Sequence, residues 1–218
     1  MKKIILFLVL ITFTSSCSSD SPEPIPPTTE EMYFPPMDDI TWETENISNL
    51  NWNPSEVEPL LKFLEEKNTK GFIILVNGKI VMENYFNGHS EKSLWYWASA
   101  GKTLTATITG IAEQEGYLSI NNKVSKYIGT GWTSETLAQE NLITCKNLLS
   151  MNSGIEDIKN GDCVTAECLT YKADAGTRWA YHNVYVKLQD VVANATGQTW
   201  NDYFNAKLRN KIGMNGGW

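Results

Sequence analysis

Ala98-Ser99-Ala100-Gly101-Lys102 follows an aromatic run, Trp95-Tyr96-Trp97, and opens onto a segment carrying Leu104, Ile108, Ile111 and Ala112. That apolar period predicts a helix ending at Gly116. Ser99 and Lys102 stand three residues apart, so a helix puts them on one face. In a first turn the backbone N–H groups point outward and the dipole is positive, which favours an anion forming beside Ser99. A neutral lysine there can take the serine's proton. The same residues also read as a serine N-cap followed by a surface lysine, and S-x-x-K recurs by chance. The rest of the chain decides between the two.

The chain has 218 residues, 42% of them hydrophobic, with eight Trp, enough for one sizeable core or two subdomains. The formal charge is −7 and the basic residues are dispersed, which argues against a nucleic-acid surface. No internal repeat and no glycine-rich nucleotide cradle is present, so no cofactor is expected.

Residues 1–16 read as a signal peptide. Lys2 and Lys3 form a basic start, Ile4 to Phe13 an apolar core, and Thr14-Ser15-Ser16 a small-residue cleavage site. The apolar run is short for a membrane span. Cys17 directly after it resembles the acylated cysteine of a bacterial lipobox, although Thr14 replaces the usual leucine-like residue. A lipid anchor to the bacterial cell envelope, on the outer membrane, is therefore expected, with membrane contact through that anchor. An ordinary secretory peptide with an incidental cysteine is the alternative. Residues 17–31 carry Pro22, Pro24, Pro26 and Pro27 among Ser, Thr, Asp and Glu, and read as a disordered tether. Ser18-Ser19-Asp20 resembles the acidic export signal of some surface lipoproteins.

Three further cysteines remain. In an exported chain Cys163 and Cys168 are close enough in sequence for a disulfide. A metal site is not expected, because no His or second Cys pair has matching spacing. Cys145, in Leu142-Ile143-Thr144-Cys145, reads as a small buried apolar residue.

The folded region is expected from about Met32 onward. Asn53-Pro54 predicts a capped helix start, with Val57, Leu60, Leu61 and Leu64 on one face. Residues 71–76 and 79–86 flank Asn77-Gly78, which predicts a hairpin with a type I′ turn. A helix is expected over 144–151, stopping at Asn152-Ser153-Gly154. Another is expected over 184–195, closed by Gly197, and a last one after Thr199 to about Asn210.

Four stretches fall in an order that resembles one family. Ser99-x-x-Lys102 opens a helix. Leu118-Ser119-Ile120-Asn121-Asn122-Lys123-Val124-Ser125-Lys126-Tyr127 resembles a "G-x-L-x-L-D-D-x-V-x-x-Y" segment. Leu148-Leu149-Ser150-Met151-Asn152-Ser153-Gly154 resembles "L-L-x-H-T-S-G". Ala175-Gly176 with Tyr181-His182-Asn183 resembles "P-G-x-x-F-x-Y-S-N". Over residues 55–215 the chain resembles the serine β-lactamase and penicillin-binding-protein superfamily, on its class C and esterase-like branch.

The resemblance implies an α/β (α+β) fold of β-lactamase/transpeptidase type, with residues 32–218 forming a serine hydrolase domain. It implies a partial antiparallel sheet and a mostly helical subdomain. Ser99 is then the acylated nucleophile, Lys102 its proton partner, and Tyr181 a second proton-transfer group. Asn183 would orient the substrate and Lys102. A phenolate beside a lysine is stabilised enough to act as a base. Tyr181 as a packed aromatic and Asn183 as a helix N-cap are the plainer readings. His182 fills a variable motif position, and His89 reads as a loop residue.

Ser150-Met151-Asn152 also fits the Ser-x-Asn motif of the class A branch, but it lies at the end of an apolar helix, so Tyr181 is preferred. The family's third motif, Lys-Thr-Gly or His-x-Gly, does not follow Tyr181. The chain therefore reads as C-terminally truncated, lacking one oxyanion donor and the strands that complete the sheet. The expected reaction is acyl transfer from a small-molecule or peptide substrate: a β-lactam, a D-amino-acid peptide or a small ester. A non-catalytic sensor or binding protein and an inactive fragment are the rivals. Trp95, Tyr96, Trp97 and Trp179 read as core packing or, less favoured, as the wall of an acyl pocket.

Overall fold

A computed structural model describes residues 31–37, 41–157 and 162–216. The signal peptide, Cys17 and nearly all of the tether lie outside the described residues.

The first layer is a helix and a hairpin. Asn53 accepts from the Ser55 N–H and Pro54 takes the first position of a short turn, Pro54–Glu56. That turn runs into α1, Val57–Glu66. Proline costs nothing there, because its missing N–H would have no partner in a helix's first turn. Val57, Leu60, Leu61 and Leu64 are each half-buried, as their spacing requires. Strands β1, Gly71–Val76, and β2, Lys79–Tyr85, pair antiparallel from Gly71 opposite Tyr85 to Val76 opposite Lys79. The register shifts once, between Ile74 and Leu75. Asn77 and Gly78 have φ of 48° and 84°, as a type I′ turn needs. Gly78 is also sterically required: a Cβ there would lie 2.0 Å from the Tyr33 carbonyl oxygen.

The second layer is helical and holds the core. Helix α2, Lys102–Gln114, ends at Glu115, and Gly116 follows with φ 80°. Short helices α3, Ser125–Ile128, α4, Leu137–Glu140, and α5, Cys145–Leu149, lead to α6, Lys187–Thr196, and α7, Trp200–Lys207. Ile108 and Ala112 of α2, Leu148 of α5, Leu188 and Val191 of α6 and Phe204 of α7 are all essentially buried. Each fully buried Leu, Val or Phe contributes roughly 1.5–3 kcal/mol, so this interface dominates the fold's stability. Glu115 ties α2 to α7, accepting from the Tyr203 hydroxyl at 2.9 Å and Lys207 Nζ at 2.6 Å.

Two polar devices hold the loops. Glu140 is buried, yet its carboxylate accepts from the Gly131 and Thr133 N–H groups, both at 2.9 Å, and from the Thr133 hydroxyl at 2.8 Å. Satisfying a buried carboxylate in this way removes most of the cost of burying it. Thr144 caps α5 in a capping box with Asn147. α5 then stops at Leu149, two residues before its expected end, because Met151 takes a left-handed φ of 58°. Gly154 follows at φ 83°, where a Cβ would meet the Ala173 carbonyl oxygen at 2.0 Å. This tight turn docks the 173–180 segment: Gly176 N–H donates to Asn152 and Ala180 N–H to Met151, both at 2.8 Å. Cys163 and Cys168 form a disulfide, with an S–S distance of 2.06 Å. Cys145 is free and buried, and burial pushes its thiol up to about 11, which leaves it unreactive at neutral pH.

Candidate active site

The site is built where α2 begins. Residues Ala98–Gly101 form one 3-10 turn that passes directly into α2 at Lys102. Ser99 therefore sits one turn ahead of the regular helix, not within its first turn. Ala98 has φ 47°, a left-handed conformation that costs a residue with a Cβ about 1–2 kcal/mol. This bend leaves the Ser99 side chain exposed while Gly101 is buried beneath it. Lys102 Nζ lies 3.0 Å from Ser99 Oγ, a hydrogen bond between the two groups.

Tyr181 completes the cluster from a different part of the chain. Lys102 Nζ lies 5.0 Å from the centre of its ring. Hydrogen bonding with Ser99 first, and then with Lys102, holds the Tyr181 phenol below its ordinary value, and the lysine's charge adds to the effect. A phenol shifted in that direction is easier to ionise beside a serine that must lose a proton. Ser99, Lys102 and Tyr181 are thus brought together, with Ser99 and Lys102 hydrogen-bonded and the Tyr181 ring beside the lysine.

Asn183 makes a contact that the sequence does not foretell. Its Nδ2 donates to Asp162 Oδ1, so the amide is anchored to the residue before the Cys163–Cys168 loop. Asn183 is also not the N-cap of its helical run. That run opens as a 3-10 turn, Asn183–Val186, and continues as α6; its N-cap is His182, whose Nδ1 accepts from the Val184 N–H at 2.9 Å. Tyr185, on the same turn, donates its hydroxyl to the Lys102 backbone carbonyl at 3.1 Å. The two chain segments that carry the site are therefore bonded to each other directly.

Sequence reasoning missed Ala98, Asp162 and Tyr185. No local signal marks Asp162 or the strain at Ala98. Tyr185 lies four residues after Tyr181, and its α2 partner is fixed only by the packing of α2 against α6.

The aromatic residues depart from their expected role as core. Tyr96 is 87% and Trp179 is 68% exposed, and Trp95 and Trp97 are exposed as well. Trp95, Tyr96 and Trp97 instead line a cavity of about 790 Å³ with Leu94, Leu104 and Met214, next to Ala98 and Gly101. The buried core is built from α2, α5, α6 and α7 together with loop residues such as Leu118, Ile143, Ile155 and Leu169, and Trp95, Tyr96 and Trp97 are not among its members.

A family model for beta-lactamases matches residues 63–218. The chain belongs to the beta-lactamase family. Its fold is also that of solved structures. A provisionally named beta-lactamase from Bacteroides dorei DSM 17855 superposes with a TM-score of 0.64 at 18% identity, over 76% of this chain and 53% of that one. A class C beta-lactamase gives 0.61 at 22% identity, over 74% and 49%. FmtA from Staphylococcus aureus gives 0.59 at 19% identity, over 78% and 49%. The chain spans about half the length of the structures it matches. The comparison with curated proteins found no match.

Proposed function

We propose that the chain carries the acyl-transfer centre of a serine hydrolase, with Ser99 as nucleophile. The observation that carries this reading is the 3.0 Å hydrogen bond from Lys102 Nζ to Ser99 Oγ, formed beside the Tyr181 ring. Ser99 Oγ attacks the acyl carbonyl of an amide or ester while its proton passes to Lys102 or Tyr181. The same pair returns a proton to the leaving amine or alcohol. Water then attacks the acyl-enzyme and Ser99 leaves, restoring the site. The exposed Ser99 allows an acyl group to approach, and the apolar cavity next to Ala98 gives it a place to lie. Substrate classes consistent with this chemistry are β-lactams, D-amino-acid peptides and small esters. Among structures of similar fold, one is named as a class C beta-lactamase in complex with cefoxitin.

The test is turnover of a panel of these three classes by a full-length form that carries the family's third motif, and by its variants. Lys102→Ala and Tyr181→Phe should each lower acylation by several orders of magnitude. The double variant should be little worse than either single, because the groups act as a unit. Turnover of every class at the parental rate in both single variants would remove the assignment.

The reading extends to location. Ser15-Ser16-Cys17 after an apolar run supports a mature protein that begins at a lipidated Cys17 and is held at the bacterial envelope by the 17–31 tether. Mass spectrometry of the mature N-terminus should find a diacylglycerol-modified cysteine. An unmodified N-terminus at another residue would exclude the anchor.

A further inference from the structure

We propose that His182 is a positioning residue for the site: its neutral ring, buried between Tyr181 and Asn183, holds the Val184 N–H and keeps both neighbours aimed, and its protonation releases them. This rests on the acyl-transfer reading above for its consequence, but its geometry stands independently.

The ring is 4% exposed, whereas Tyr181 on one side is exposed and Asn183 on the other is half-buried. Alternation along an extended backbone explains this: His182 has φ −146° and ψ 144°, so it points inward while its neighbours point outward. A buried anchor between two site residues fixes both of their directions. Nδ1 can accept from Val184 N–H only when it carries no proton, so the proton of the neutral ring sits on Nε2. Nε2 is itself buried and has no hydrogen-bond partner among the described residues. The anchor is reinforced from behind, where the His182 N–H lies 3.5 Å from Met151 Sδ and the Ala180 N–H donates to the Met151 carbonyl.

Protonation turns Nδ1 from an acceptor into a donor facing another donor, the Val184 N–H. The cap must then open, and the positive start of the helical run also repels the imidazolium. The charged groups acting on the ring are Asp157 and Glu156, which favour the imidazolium. Both are already paired, Asp157 with Arg178 at 2.7 Å and Glu156 with Lys172 at 3.0 Å. Burial outweighs them and holds His182 below its ordinary 6.5. A histidine whose folded value is lowered leaves the folded state intact above 6.5. It costs stability progressively as pH falls from there towards the folded value. The site should therefore be ordered at neutral pH and loosen in mild acid.

The experiment is an NMR titration of ring-labelled His and Tyr in the whole protein, alongside His182→Asn and His182→Ala. The chain has two histidines, so a His89→Gln background isolates the signal. An Asn side chain places its Oδ1 where Nδ1 lies and still caps, but does not titrate. In the parent, Nδ1 should be unprotonated at pH 7, His182 should titrate below 6.5, and the Tyr181 ring signals should move at the same midpoint. His182→Asn should erase that step and keep the Tyr181 phenol lowered. His182→Ala should return the phenol towards its ordinary value. A protonated Nδ1 at pH 7, or Tyr181 signals indifferent to the His182 midpoint, would overturn the proposal. So would an unchanged acid step in His182→Asn. If His182→Ala does not fold, the parent and His182→Asn still decide. Labelling of Ser99 by a fluorophosphonate, followed against pH, separates the two claims. No labelling even in a full-length form that carries the family's third motif defeats the hydrolase reading and leaves the His182–Tyr181 coupling to stand or fall on the spectra.

Discussion

The Tyr185 hydroxyl donates to the backbone carbonyl of Lys102 at 3.1 Å, joining residues 83 apart in sequence. The residue that accepts is the one that reaches Ser99, and the residue that donates lies four after Tyr181. One hydrogen bond thus fixes the spacing between the two halves of the site. Burial raises the Tyr185 phenol, which keeps it protonated and able to donate.

Tyr185→Phe removes that bond while leaving the ring. A typical loss is about 1 kcal/mol, or a fall of roughly 2–4 °C in melting temperature for a chain of this size. Calorimetry reads the stability, and Ser99 labelling should slow by more than the stability change alone explains. Unchanged melting and labelling would show that packing of α2 on α6 sets the spacing by itself.

Glu135 is pushed up to about 7 by burial, and further by the nearby Glu140 and Asp174 carboxylates. Its folded value lies above its ordinary 4.5, so the folded state holds the proton more tightly. Stability is then lost as pH rises from about 4.5 to about 7 and stays lost above. Glu135→Gln should gain about 1 kcal/mol at pH 8, a figure reduced for solvent screening of a half-exposed group. It should gain nothing at pH 4. Denaturant melts at both pH values check this, and an equal gain at both would point to packing instead of charge.

The Cys163–Cys168 loop is short, with a separation of five residues. Loop-closure entropy gives such a crosslink about 2 kcal/mol. Replacing both cysteines with serine should cost about that much, read from the denaturant midpoint. It should also weaken the Asp162–Asn183 contact, because Asp162 is adjacent to Cys163. Amide exchange at Asn183 in the reduced and oxidised protein measures the second effect. Identical protection in both would mean that Asp162 is held by something other than the loop.

What the sequence made legible was local chemistry. Asn53-Pro54, Asn77-Gly78, Gly197 and Thr199 each act through their own backbone and nearest neighbours. The structure has the cap, the type I′ turn, the left-handed helix stop at φ 69° and a second cap there. Ser99, Lys102 and Tyr181 were legible because spacing places the first two and a motif resembling a family places the third. The remainder depends on tertiary contacts that no window of sequence holds. Ala98 looks like an ordinary helix former yet sits at φ 47°. Asn183 reads as a substrate ligand or a cap; the cap is His182, and the Asn183 amide also meets Asp162. The aromatic run before Ser99 reads as core by composition, but Trp95, Tyr96 and Trp97 are exposed and the buried core is filled by other residues. The sequence predicts a helix running to Met151, and the turn that seats Ala180 ends α5 sooner.

The central claim is that Ser99 is the residue acylated. Its most direct test is to treat the protein with a fluorophosphonate and, separately, with a penicillin, and to locate the adduct by peptide mass spectrometry. In a full-length form that carries the family's third motif, one adduct should form, on the peptide containing Ser99, and Ser99→Ala should abolish it. An adduct on Ser150 or another serine, or an undiminished adduct in Ser99→Ala, would contradict the assignment.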